Sequence, residues 1–111
     1  MNKPWGNYKV LLDSEYCKVK VITVYPGERL SLQRHFKRTE HWFIVQGKAL
    51  VTIGNKKLLL LQEDHTNISV EEWHRIENTG EEDLVFIEIQ TGSYFGEDDI
   101  ERKDDDYGRA K

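Results

Sequence analysis

With 111 residues the chain has room for one compact core and not for two catalytic modules. A formal net charge of -4 gives it no basic face for a phosphodiester backbone, so no nucleic-acid partner is expected. One cysteine, Cys17, excludes an intramolecular disulfide and a multi-thiolate zinc site, and no stretch has the roughly 20 apolar residues of a membrane span. A cytoplasmic, single-domain protein without membrane contact is the expectation.

In chain order, short strand-like runs alternate with turn signals. Residues 16–24 group Cys17, Val19, Val21 and Thr23 on one face and Lys18 and Lys20 on the other, and Pro26-Gly27 ends the run as a turn. Residues 30–35 follow, then 40–46, rich in aromatic and branched side chains and closed by Gly47. Residues 49–53 and 57–61 flank Gly54-Asn55 and predict a hairpin. Three more strands are expected over 67–70, 74–78 and 84–90, separated by Glu71-Glu72 and by Asn78-Thr79-Gly80. The stretch from Glu97 to Asp106 is acidic. Roughly eight strands in a chain this short predict an all-β, antiparallel jelly roll, because exposed edges are otherwise hard to protect.

On that scaffold four dispersed residues combine the donors of a divalent metal site. Gln33 and His35, two apart on a strand, share a face; Glu40 and His74 stand at the starts of later strands, where a barrel brings them inward. Two imidazoles, one carboxylate and one amide leave a bound divalent ion with net positive charge, suited to polarising a carbonyl or stabilising an anionic intermediate. Glu88 shares a face with Gln90 on the last long strand and is the candidate proton-shuttling base; His41 lies opposite Glu40 by alternation and is the weaker candidate. Trp5, Trp42 and Trp73 read as packing residues.

Written out, Gly27-x5-Gln33-x-His35-x4-Glu40-x6-Gly47 and His74-x3-Asn78 resemble the paired motifs of the cupin superfamily. The usual first motif has histidine where this chain has Gln33, and the second usually carries Pro and Gly where this chain has Ser69 and Glu71. A narrower resemblance absorbs the first departure. Pro4-Trp5-Gly6, the run from Pro26 through Gln33 to His35, Glu40-His41-Trp42, the run from Gly96 to Ile100, and Tyr107-Gly108-Arg109 are similar to the isomerase domain of type II phosphomannose isomerases, a family with glutamine in place of the first cupin histidine. The similarity spans essentially the whole chain. It implies a cupin jelly roll holding one divalent ion (Zn2+, Co2+, Mn2+ or similar) on Gln33, His35, Glu40 and His74, and interconversion of mannose 6-phosphate and fructose 6-phosphate through an enediolate.

The family commonly fuses this domain to a mannose-1-phosphate guanylyltransferase. This chain has no glycine-rich phosphate-binding loop, so guanylyl transfer is not expected of it. For the sugar phosphate's charge the first choice is Arg29, which matches an arginine of the family's first motif and has the parity of Gln33 and His35; Arg109 is second, and Lys37 and Arg38 lie on the loop between the ligands. A homodimer is expected from the need to cover a sheet edge. Two other readings use the same fold: a non-catalytic sugar-phosphate or nucleotide-sugar binding module, and a metal-dependent oxygenase, which the amide at position 33 disfavours.

Overall fold

The structure is a computed structural model and describes residues 1–107. Its regular structure consists of strands: β1 (Asn2–Lys3), β2 (Gly6–Asp13), β3 (Cys17–Val24), β4 (Leu32–Arg34), β5 (Arg38–Gln46), β6 (Ala49–Ile53), β7 (Lys56–Leu60), β8 (His65–Ile68), β9 (His74–Asn78), β10 (Leu84–Gly92) and β11 (Glu101–Asp104). They pair antiparallel in two sheets, β1-β2-β3-β10-β5-β8 and β11-β4-β9-β6-β7. Late strands lying between early ones, β10 between β3 and β5 and β9 between β4 and β6, give the crossed connections of a jelly roll. The expected fold class is the one adopted.

The expected hairpin is β6–β7, with Ile53 paired to Lys56 across Gly54-Asn55 and Gly54 at φ 58°, the left-handed conformation a two-residue loop requires. Three strands were not expected. Strands β1 and β2 precede the first predicted run, and β2 is exposed from Lys9 to Asp13, so no in-out alternation marks it. Strand β11 lies in the acidic stretch, whose carboxylates meet arginines of the second sheet: Arg34 Nε to Glu101 at 2.7 Å, Arg75 Nη1 to Asp104 at 3.2 Å and Arg29 Nε to Asp106 at 2.8 Å. The acidic tail is therefore a strap along β4.

Inward side chains change character along each strand. On β3 they run Val24, Ile22, Lys20; on β10 Leu84, Phe86, Glu88, Gln90; on β5 Ile44, Trp42, Glu40, Arg38; on β9 Ile76, His74. Pairing of Phe86 with both Ile22 and Ile44 builds the apolar half, which Val51, Ala49 and Ile76 of the facing sheet close. Two residues further on, the same register sets Glu88 between Lys20 and Trp42, and two further still it sets Gln90 opposite Glu40. One end of the sandwich is thus a hydrophobic core, at roughly 1.5–3 kcal/mol for each large side chain buried. The other end is lined with ionisable groups.

The apolar end is tied by one polar residue. Asn78, fully buried, donates through Nδ2 to the carbonyls of Val24 and Glu82, both at 2.8 Å, and its Oδ1 accepts from the Gly80 amide at 2.9 Å. Asn78→Ala strands three backbone groups and is expected to lower unfolding free energy by about 2–4 kcal/mol. Urea denaturation of the two proteins checks this; a loss below about 1 kcal/mol would mean that water replaces the amide.

Candidate metal centre and cavity

Strand β5 delivers Glu40, β9 delivers His74 as its first residue, and the turn after β4 delivers His35; all three are at least 96% buried. Each offers a ligand atom within 4.8 Å of the others'. Nδ1 of His35 lies 3.6 Å from Glu40 Oε2, and Nε2 of His74 lies 3.8 Å from Glu40 Oε1. Gln33 is the register partner of His74 across β4–β9, which puts the two side chains on one face, and its Nε2 donates to Ser31 Oγ at 3.0 Å. Gln33, Glu40, His74 and Glu88 border a space of about 20 Å³, room for a single water or ion.

The surrounding bonds suit His74 and Glu40 to a cation. Nδ1 of His74 is 2.9 Å from the Glu72 carbonyl, to which only a protonated nitrogen bonds, so the lone pair is left on Nε2, facing Glu40. Trp42 Nε1 donates to Glu40 Oε1 at 3.1 Å and fixes the carboxylate. Burial lowers the pKa of both histidines; the Arg38 cation adds to this at His35, while the Glu72 carbonyl opposes it at His74. Both are therefore neutral at pH 7, the form that ligates. In fit with a polar ligand shell, Gln90 Oε1 is a buried acceptor with no hydrogen-bond partner among the described residues.

Arg38 is the residue the sequence undervalued. It is the first residue of β5, not a loop residue, and its parity with Glu40 turns it inward to 4% exposure. Its guanidinium donates to Glu40 Oε2 at 2.9 Å, to His35 Nε2 at 2.8 Å and to Glu97 Oε2 at 3.2 Å. An ion held by the imidazoles and Glu40 would share that carboxylate with Arg38. Because Trp42 holds the other oxygen, Trp42→Phe keeps the apolar packing and removes only the N–H. Metal affinity is expected to fall by about 10- to 100-fold, as for other outer-shell partners of a metal ligand; competition with a chelator of known affinity measures it, and an unchanged affinity would remove the indole from the site.

Beside the donors opens a cavity of about 280 Å³, close to the lower end of the ~300–1,000 Å³ of small-molecule pockets. Glu88, Gln33, Arg38 and Lys20 line it, with Trp5 and Tyr8 forming apolar wall. Glu88 is 7% exposed and accepts a hydrogen bond from Gln90 Nε2 at 2.5 Å; burial first, then the neighbouring Glu40 carboxylate, raises its pKa, so it tends to hold a proton. His41, opposite Glu40, is turned away from the donors and bonds Asn67 on the outer face.

Arg29 does not line this cavity. Its guanidinium is paired twice with Asp106, at 2.8 and 3.0 Å, and its backbone bridges Glu77. The parity that grouped it with Gln33 is broken because β4 begins only at Leu32. Arg109 lies outside the described residues. Lys20 lies on the face opposite Val19 and Val21, as alternation requires, and that face is the inward one, shared with Ile22 and Val24. A wholly polar partner strand would have revealed this, but both faces of β3 carry branched side chains.

Solved structures share the fold at low identity. A protein with a double-stranded beta-helix domain from Klebsiella pneumoniae superposes with a TM-score of 0.78 at 21% identity, over 86% of this chain and 84% of that one. An oxalate decarboxylase from Lactobacillus farciminis gives 0.80 at 22%, over 92% of this chain and 32% of that one. Sequence relatives are much nearer. The alginate biosynthesis protein AlgA of Pseudomonas aeruginosa is 50% identical over 108 residues, 97% of this chain and 22% of that protein. A mannose-1-phosphate guanylyltransferase of Salmonella montevideo is 45% identical over 107 residues, 96% of this chain and 23% of that one. The chain thus spans less than a quarter of the length of these relatives. The family model described as mannose-6-phosphate isomerase C-terminal matches residues 1–105, and the chain belongs to that family.

Proposed function

We propose that the chain is a metal-dependent aldose-ketose isomerase acting on mannose 6-phosphate and fructose 6-phosphate. The observation that carries the reading is that Gln33 and Glu88 line both the 20 Å³ space bordered by Glu40 and His74 and the 280 Å³ cavity whose wall carries lysine and arginine side chains. Family membership and the relatives named for mannose 1-phosphate chemistry support the sugar's identity.

When bound, a divalent ion supplies positive charge against the oxygens of the C1–C2 unit as the enediolate develops. The chain's own residues do the rest. Glu88 in its ionised form takes the C2 proton of the aldose and returns it to C1, with the hydroxyl proton moving from O2 to O1, so that no atom or electron is gained or lost. Gln90 holds the Glu88 carboxyl by its 2.5 Å bond, fixing which oxygen faces the sugar. Arg38 neutralises Glu40, and Trp5 and Tyr8 exclude water from the cavity wall.

The test is a coupled assay of the metal-loaded chain with mannose 6-phosphate. Turnover supports the proposal. Sugar-phosphate binding by calorimetry without turnover replaces it with the binding-module reading, and oxygen uptake on adding Fe2+ replaces it with the oxygenase reading.

A further inference from the structure

A lysine inside a β-sandwich is costly unless its charge is met. Lys20 is 6% exposed, and among the described residues its ammonium makes no hydrogen bond. Its one ion pair is with Glu97 Oε2 at 3.8 Å, beyond hydrogen-bond length, and it lies 4.7 Å over the Tyr8 ring. The carboxylate directly across the sheet, Glu88, is bonded to Gln90 instead. The ammonium therefore faces the 280 Å³ cavity, which Lys3, Arg38, Glu88 and Glu97 also line. Glu97 differs from Glu88 in kind: its side chain is 56% exposed, it follows the end of β10, and one oxygen serves both Arg38 at 3.2 Å and Lys20.

We propose that Lys20 anchors the phosphate of the substrate and that the Glu97 carboxylate holds the anion position until the phosphate displaces it. A compact ammonium with three donors meets a phosphate dianion as a point charge. The register supplies the order: Lys20, then Glu88, then Trp42 along one row, with Gln90 and Glu40 in the next. A sugar phosphate bound at Lys20 thereby lays its far end over Glu88 and the metal ligands. The inference rests on the isomerase reading for the sugar alone; recognition of phosphate is independent of turnover.

Calorimetric titration of the metal-loaded chain with inorganic phosphate, fructose 6-phosphate and fructose tests it. Lys20→Met should weaken both phosphates by about 10- to 100-fold with metal content and fructose binding unchanged, and Lys20→Arg should restore most of the loss. Removing a buried, poorly paired charge in favour of an apolar side chain of similar length keeps the fold. Glu97→Gln should tighten phosphate binding several-fold, because the internal competitor has gone; a residue that merely braced the cavity would weaken it. Unchanged phosphate affinity in Lys20→Met, or weaker binding in Glu97→Gln, overturns the proposal. Lys20-dependent phosphate binding without isomerisation would uphold it while removing the isomerase reading, and full turnover with unaltered KM in Lys20→Met would do the reverse.

Discussion

Alanine at His74 is expected to take the chain from about one divalent ion per molecule to none measurable, and isomerase turnover with it. His74 is the donor whose orientation is most fully determined: the Glu72 carbonyl fixes its tautomer, burial keeps it neutral, and Trp42 packs edge-on against it at 5.5 Å. His35→Ala should act the same way, since the two rings stand 5.4 Å apart around one carboxylate. Glu40→Gln removes the one negative donor and leaves Arg38 without its counter-charge, so it is expected to lose metal and to destabilise the chain as well, by about 3–5 kcal/mol for a broken buried pair. The histidine variants separate these effects, because neither imidazole carries charge at neutral pH. Metal analysis after gel filtration, beside circular dichroism to confirm the fold, decides the matter. Retention of one ion per chain in both histidine variants would place the metal elsewhere.

The grouping of Gln33, His35 and Glu40 was legible because it depends on local order. Gln33 on β4 and His35 just after it stand two residues apart, and Glu40 follows across a single chain reversal. The hairpin at Gly54-Asn55 was legible for the same reason. What the sequence concealed is long-range. Arg29 has the composition and parity of a phosphate ligand, but Asp106, 77 residues later, claims its guanidinium once the acidic strap lies down beside β4. The strap itself looks like solvated chain until Arg34, Arg75 and Arg29 are seen as its partners. Arg38 passed for a loop residue because β5 starts two positions before Glu40, inside a run of polar side chains that carries no apolar alternation. Lys20 was hidden by Val19 and Val21, branched residues on the outer face of β3 that mimic a core stripe.

Glu88→Gln is expected to lower kcat by about 10²–10⁴-fold while metal content and KM for mannose 6-phosphate stay close to those of the parent chain. The amide preserves size and can still meet Gln90 Nε2 through its oxygen, so cavity shape is conserved. It can neither accept nor return a proton. Metal retention follows because Glu88 borders the 20 Å³ space and is not one of the His/Glu/His donors. Retention of KM follows because the phosphate and the sugar hydroxyls meet other groups in the cavity. A second readout separates lost chemistry from lost structure: exchange of the C2 hydrogen with solvent should fall in parallel with kcat, whereas binding of a non-isomerisable sugar phosphate should not move. If exchange continues at the parent rate in Glu88→Gln, the proton travels through another group, and a further carboxyl or imidazole near the donors must be sought. If metal is lost together with turnover, Glu88 supports the ligand shell through its neighbour Glu40 rather than the proton transfer. The expected pattern, metal and binding intact with exchange and turnover both gone, is available only to a group that touches the C1–C2 unit itself.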